Sequence, residues 1–220
     1  GNEDLGGGYR AIFTLESRIE ADTGGLGSRP ISGNRLPDRL STATSLGLPA
    51  ALQPAVSAVA AQIGSSVGVN LNGSFFDRQI FSGLVTPYGA FTLGRQYTPA
   101  YQASAYFDVM KTESSLALGQ LVAIPASFDI RVSNSLQYGL QLGGLTATAM
   151  YAAGEVAGKP SARRLLGAMA IYKGNGYSFG GGANTRNNEL GEKSLTTVTV
   201  GATVDVGPGT LSGQYATIKD

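Results

Sequence analysis

The feature that most restricts what this chain can fold into is a two-residue alternation of side-chain character. It recurs in segments of about ten residues that end in Gly, Asn, Asp or Pro. Successive side chains of a β-strand point to opposite faces, so the alternation marks strands whose two faces meet different surroundings. Thr197 to Val206 shows it most sharply. Val198, Val200, Ala202, Val204 and Val206 fall on one face, and Thr197, Thr199, Gly201, Thr203 and Asp205 on the other. Leu145, Ala147, Ala149 and Tyr151 likewise oppose Thr146, Thr148, Met150 and Ala152, and Ala11, Phe13 and Leu15 oppose Arg10, Ile12, Thr14 and Glu16. Tyr177, Phe179 and Ala183 oppose Ser178, Gly180 and Asn184, whereas Ala168 to Lys173 does not disclose its faces.

This pattern predicts about nine strands, over 8–18, 74–85, 90–97, 127–138, 144–154, 165–173, 177–185, 195–206 and 209–218. Short turns punctuate them: Asp4-Leu5-Gly6-Gly7-Gly8, Thr86-Pro87-Tyr88-Gly89, Lys173-Gly174-Asn175-Gly176 and Gly207-Pro208-Gly209. Gly and Asn supply the positive φ that tight hairpins require. The connections alternate between short and long, the arrangement of an outer-membrane barrel with tight turns on one side and longer loops on the other. Two inserts stand out. Ala21 to Asn72 runs into a helix over Pro49 to Ile63, and Thr98 to Pro125 has a helix-compatible middle, Tyr106 to Leu121. Loops longer than about 15 residues are usually functional.

Composition narrows the chemistry. The 220 residues include 32 Gly and no Cys, His or Trp. Without His and Cys the chain lacks the usual ligands of zinc, copper and iron and the commonest general base, so metal and thiol chemistry and a cofactor are not expected. Its Asp and Glu residues form no catalytic motif, and an enzyme is not expected either. With 14% charged residues and a net charge of +1, it has no basic footprint for nucleic acid. No segment offers the roughly 18 uninterrupted apolar residues of a membrane-spanning helix; Leu46 to Gly64 is broken by Pro49, Gln53, Pro54, Ser57 and Gln62. No signal-peptide pattern opens the chain, which reads as mature protein or a fragment.

A soluble β-sandwich also has alternating strands, but its outward face is usually charged. Here Thr, Ser, Gly and Asn occupy one face and neither carries many charges. Aromatics (Tyr88, Phe91, Tyr97, Tyr138, Tyr151, Tyr172, Tyr177, Tyr215) sit near strand ends, where an interfacial girdle would hold them. A lipid-embedded strand can close its backbone hydrogen bonds only in a closed sheet, so the balance favours an antiparallel transmembrane β-barrel.

Several segments together carry a family resemblance. Gly1-Asn2-Glu3-Asp4-Leu5-Gly6-Gly7-Gly8 running into Ala11-Ile12-Phe13-Thr14-Leu15-Glu16-Ser17 resembles the early hairpin of Gram-negative outer-membrane general porins, especially those of β-proteobacteria. Phe76-Asp77-Arg78-Gln79, Gly83-Leu84, Tyr88-Gly89 and Leu93-Gly94-Arg95-Gln96-Tyr97-Thr98-Pro99 are similar to the hairpin before that family's third loop. Arg131-Val132-Ser133-Asn134-Ser135 with Tyr138, then Ala149-Met150-Tyr151 and Gly154-Glu155, are similar to the next pair of strands. The resemblance implies a sixteen-stranded, trimeric all-β barrel in the outer membrane, with a diffusion pore for small hydrophilic solutes and ions. Residues 1–220 would then be a partial barrel, lacking a strand before Gly1 and closing strands after Asp220, with 21–72 an extracellular loop and 98–125 the pore-constricting loop. Outer-membrane lipid and lipopolysaccharide would surround it.

In the family, carboxylates on the third loop face a ladder of arginines, and such charge clusters in a narrow lumen set selectivity. The resemblance assigns the acidic side to Asp108 and Glu113. For the basic wall the best candidate is Arg78, which shares a parity with Ile80 and Ser82; an arginine facing lipid would cost about 2–4 kcal/mol, so it should point inward. Arg131 and Arg10 are further lumen candidates, with Glu16 as an inward partner for Arg10. Arg163 and Arg164 resemble a pair lining the pore mouth. Arg95 shares the parity of the outward Phe91 and Leu93, which suggests the subunit interface, where the 21–72 loop of a neighbour would latch. Each of these charges has a plainer reading as a solvated loop residue or helix cap. Beside the general porin stand two alternatives: a substrate-specific channel of the same architecture, and a secreted β-sandwich adhesin.

Overall fold

The computed structural model describes residues 1–17, 19, 41–67, 75–76, 78–110 and 129–219, with 61–67 described by backbone alone. Ten strands form one antiparallel sheet in strict sequence order. They are β1 Asn2–Gly6, β2 Tyr9–Glu16, β3 Gln79–Thr86, β4 Gly89–Tyr97, β5 Arg131–Leu142, β6 Leu145–Ala152, β7 Leu165–Lys173, β8 Tyr177–Asn187, β9 Lys193–Val206 and β10 Gly209–Lys219. Next-neighbour order places connections at alternate ends. The turns β1–β2, β3–β4, β5–β6, β7–β8 and β9–β10 are all tight and share one end, and the four longer connections share the other. The sheet is open, with β1 and β10 as its edges. Among the described residues no helix is long and apolar enough to cross a membrane, which leaves crossing by strands untouched.

The structure has one strand more than the alternation predicts. Asn2, Glu3 and Asp4 pair with Ile12, Ala11 and Arg10, so β1 occupies part of what reads as the turn Asp4–Gly8. The reversal is confined to glycines: Gly6, Gly7 and Gly8 have φ of 80°, 62° and 83°, a region that costs residues with a Cβ. A five-residue polar strand has no apolar face to reveal it, and only its partner makes it a strand.

Elsewhere the faces follow the alternation. Thr197 and Thr199 are buried, while Val200, Val204 and Val206 are exposed. The outward set continues across the sheet through Phe13, Leu15, Ile80, Leu93, Leu136, Tyr151, Leu166, Phe179, Leu211 and Tyr215, all exposed. All strands belong to one sheet, so among the described residues no second sheet covers these valines, and the sandwich reading fails. Strand β7 is ambiguous in sequence because both its faces are apolar. Leu165, Met169 and Ile171 are buried on the side of Thr199, and Leu166 and Tyr172 are exposed on the other.

Among the described residues, the helices Gln53–Val67 and Pro99–Phe107 interrupt the sheet's long connections. Helix α1, Gln53–Val67, follows a 3-10 turn at Ala50–Leu52 and lies near the predicted Pro49–Ile63. The Gln53 side chain ties its start to the preceding segment, donating to Ser41 O and accepting from Ala43 N at 2.8 Å. Helix α2 is Pro99–Phe107. The helix predicted over Tyr106–Leu121 overlaps α2 only at Tyr106 and Phe107; residues 108–110 are not helical, and 111–121 lie outside the described residues.

Candidate functional site

Helix α2 forms where it does because Thr98-Pro99 is a helix start. Thr98 has extended backbone and its side-chain oxygen accepts from Tyr101 N, while Pro99 occupies the first turn. Proline there loses nothing, since its missing N–H would have had no partner within the helix. Thr98 also closes the loop at its base: its N–H donates to Ile130 O at 3.0 Å and its hydroxyl to Asp129 O at 2.5 Å. The buried Asp129 carboxylate in turn pairs with Arg186 on β8. A thirty-residue excursion thus leaves and rejoins the sheet at one clamped point.

From that clamp α2 runs over β6 to β10 on the face carrying Thr197 and Thr199. Ala100, Ala103, Ser104 and Phe107 are buried against the sheet. Asn184 Oδ1 accepts from Ala100 N at 3.2 Å near the start, and Ser212 Oγ donates to Phe107 O at 2.5 Å at the end. Three glycines on adjacent strands admit the helix this closely. A Cβ on Gly167 would lie 2.6 Å from Asn184 Oδ1 and 3.0 Å from Pro99 Cδ, and one on Gly182 would lie 2.5 Å from Pro99 O and 3.0 Å from Ala103 Cβ. At Gly201 it would lie 2.4 Å from Phe107 Cγ. In the strand register Gly182 stands opposite Met169 and Thr199, and Gly201 opposite Gly180, so the three step diagonally along the helix axis. Glycine is used here for close approach.

The cations gather near the helix start. Tyr97 stacks on Tyr101 of α2 with ring centroids 4.9 Å apart. Its hydroxyl accepts from Arg78 Nη2 at 3.1 Å and from Arg131 Nη2 at 3.0 Å, and the Arg131 guanidinium also lies 4.6 Å from the Tyr97 ring centre. Arg78 Nε donates to Glu16 at 2.5 Å, and Gln79 donates to the other oxygen of Glu16 at 3.1 Å. The parity argument for Arg78 does not describe how it gets there, because Ile80 is on the outward face. Arg78 precedes β3 and Tyr97 ends β4, positions where strand alternation no longer fixes the side chain.

Other predicted residues are placed apart from this cluster. Glu16 partners Arg78 rather than Arg10. Arg10 lies opposite Asp4 at the tight-turn end, six residues and about 20 Å along the strand from Glu16. Asp108 caps the C-terminus of α2, buried, with Oδ1 accepting from Met110 N at 3.1 Å. Seven residues of largely helical rise separate it from Tyr101, roughly 10 Å, so Asp108 and the arginine cluster occupy different levels along α2. Around Asp108 opens a polar cavity of about 530 Å³ lined by Lys173, Ser178, Thr203, Asp205, Thr210 and Ser212 among others. Glu113 lies outside the described residues. Arg163 and Arg164 belong to the β6–β7 loop, where Arg163 pairs with Glu189 of the β8–β9 loop. Arg95 is buried, with Nη1 donating to Ser133 Oγ at 3.2 Å, in a recess lined by Phe13, Leu15, Ile80 and Leu93. Sequence reasoning read Tyr97 as a girdle aromatic, whereas it stacks on Tyr101 beside the two arginines; it passed over Asp129 and Arg186 and gave the glycines no packing role. Thr98-Pro99 was the one local signal, as an N-cap followed by proline.

Comparison with known proteins fits this architecture. The family model described as Gram-negative porin matches residues 1–220. Among solved structures, an anion-selective porin from Comamonas acidovorans matches with a TM-score of 0.64 and 21% identity, covering 99% of this chain and 55% of that one. That likeness is one of fold, and the chain spans little more than half of the matched structure's length. A loop-deletion mutant of OmpT, an outer membrane protein of Vibrio cholerae, matches with a TM-score of 0.47 and 15% identity over 66% of this chain and 51% of its own. No curated protein sequence matches the chain.

Proposed function

The chain belongs to the Gram-negative porin family, which places it in the outer membrane, and from that premise we propose that it walls a water-filled channel for passive diffusion of small hydrophilic solutes and ions. The observation that carries this reading is the contrast between the faces. One bears Phe13, Leu93, Val200, Leu211 and Tyr215, all exposed; the other bears Thr, Ser, Asn and Gly, with Met169 and Ile171 covered by a helix that has charges gathered at its base. The first suits hydrocarbon and the second suits water, the alternation expected of a strand between lipid and lumen.

In this reading 98–125 is the constricting loop and α2 its first part, lying along the wall. Arg78 and Arg131 form the basic wall beside Tyr97, with Arg10 a lumen charge nearer the tight turns. Asp108 and Glu113 supply the acidic side, and Arg163 and Arg164 line the mouth. The outward recess around Arg95 faces a neighbouring subunit of a homotrimer, latched by the 21–72 loop, while lipid and lipopolysaccharide cover the remaining outer surface. The protein acts as a channel rather than an enzyme.

Reconstitution of the whole protein into planar bilayers tests this. Stepwise, ohmic conductance increments in simple salts are expected. Absence of any increments from folded protein, or release from membranes by high salt without detergent, would remove the channel reading. Block of the current that saturates with one solute would replace general diffusion by a substrate-specific channel.

A further inference from the structure

We infer that Gly167, Gly182 and Gly201 are positioning residues for the constriction: their missing side chains set how far α2 stands from the wall, and thereby the size limit of the solutes that pass. The inference rests on the porin reading above.

Other glycines of the sheet are as crowded, but by neighbouring strands, as Gly83 is by Phe91 O at 2.4 Å and Gly94 by Ile80 O at 2.2 Å; these three are the ones whose Cβ would meet α2. A Cβ on Gly213 or Gly209 would meet nothing within 4 Å, and one on Gly139 only a Thr148 methyl at 3.9 Å. At Gly182 the obstacle is a backbone carbonyl, Pro99 O, and at Gly201 it is the root of the Phe107 side chain, with Cγ at 2.4 Å and Cβ at 2.7 Å. Neither can swing aside. Phe107 is 1% exposed and its carbonyl is held by Ser212. Ordinary contact begins near 3.4 Å, so a methyl group at Gly201 forces the end of α2 away by about 1 Å, because packed interiors absorb added volume by moving backbone. The sheet lies behind the clash, so the displacement is directed away from the wall. Near its start the helix is clamped through Thr98 to Asp129 and Ile130, so it pivots there and its Asp108 end swings into the lumen.

The helix face matches this role. Ala100, Ala103 and Ser104 are small and buried at the contact, so backbone meets backbone across the trough. Residue size at the three glycines therefore tunes how far the helix stands from the wall.

The test is single-channel conductance, with liposome swelling in uncharged sugars of increasing size, for the whole protein carrying Gly201→Ala, Gly182→Ala or the milder Gly167→Ala. Wild-type conductance must be seen first; its absence sinks the channel reading itself. Given wild-type conductance, each variant is expected to conduct less and to exclude smaller sugars, with Gly201→Ala affected more than Gly167→Ala. Combining Gly201→Ala with Phe107→Gly, which removes both the Cγ and the Cβ that the new methyl meets, should recover most of the loss, a rescue that general destabilisation would not produce. Gly213→Ala should match wild type in both readouts. Unchanged or raised conductance in folded Gly201→Ala overturns the inference; if that variant does not fold, unchanged conductance in Gly182→Ala, whose methyl would meet Pro99 O and Ala103 Cβ, does so instead.

Discussion

Replacing Arg78 with Ala should tilt the channel's ion preference toward cations by a calculable amount. Arg78 contacts Glu16 at 2.5 Å and Tyr97 at 3.1 Å, and more than a third of its side chain is exposed. A pair so open to water contributes only about 0–1 kcal/mol to stability, so the variant should fold. The electrostatic consequence is larger. Glu16 is left as a lone carboxylate at the wall, a local change of one negative charge. Such a charge acting on a permeant ion about 5 Å away in water is worth about 0.8 kcal/mol. Screening at 0.1 M salt, with a Debye length of about 10 Å, reduces this to about 0.5 kcal/mol. The sign is opposite for anion and cation, so the permeability ratio changes by about 1 kcal/mol, roughly fivefold. The assay is the reversal potential across a bilayer with a salt gradient. Glu16→Gln should move it by a similar amount in the other direction, and the double variant should return it near wild type. A reversal potential unchanged in Arg78→Ala, or moving the same way in both single variants, would refute the placement of this pair at the permeation path.

Other perturbations separate the remaining structural claims. Thr98→Ala removes the cap of α2, worth about 1 kcal/mol, together with the hydroxyl bond to Asp129 O; open-channel current noise should rise, while the thermal midpoint of barrel unfolding shifts little. Leu136→Lys, on the exposed outward face, should cost about 2–4 kcal/mol at mid-membrane depth and reduce folding yield into lipid, while the adjacent Gln137→Lys should be tolerated; equal yields would mean that the faces do not differ as described, and the opposite order that they are reversed. Arg163, hydrogen-bonded to the Glu189 carboxylate, holds that group below the usual carboxylate range. Because the folded pKa is the lower one, the link between the two loops persists above the unfolded value and is lost as pH falls through the lowered one. An NMR titration of Glu189 should show an acid-shifted midpoint that Arg163→Ala restores to normal.

The sequence by itself determined the sheet. Nine of the ten strands are visible from period-two alternation or its turn punctuation, and the faces of β2, β6, β8 and β9 with them, because strand facing is a local property of neighbouring residues: Val200 is exposed and Thr199 buried, as alternation requires. The two strands it read poorly are those whose surroundings depart from one wet and one greasy face. Strand β1 is too short and polar to carry a pattern, and β7 is apolar on both sides because α2 covers one of them. What only the tertiary structure decided is the site. Helix α2 meets residues far along the chain: Asn184 holds Ala100 across 84 positions and Ser212 holds Phe107 across 105. Glu16 finds Arg78 rather than Arg10 because two strands separated by a long insert pair side by side. Alternation states which way a side chain points; which distant group waits there is set by strand register and by the path of a loop, and neither is encoded in the spacing of nearby residues.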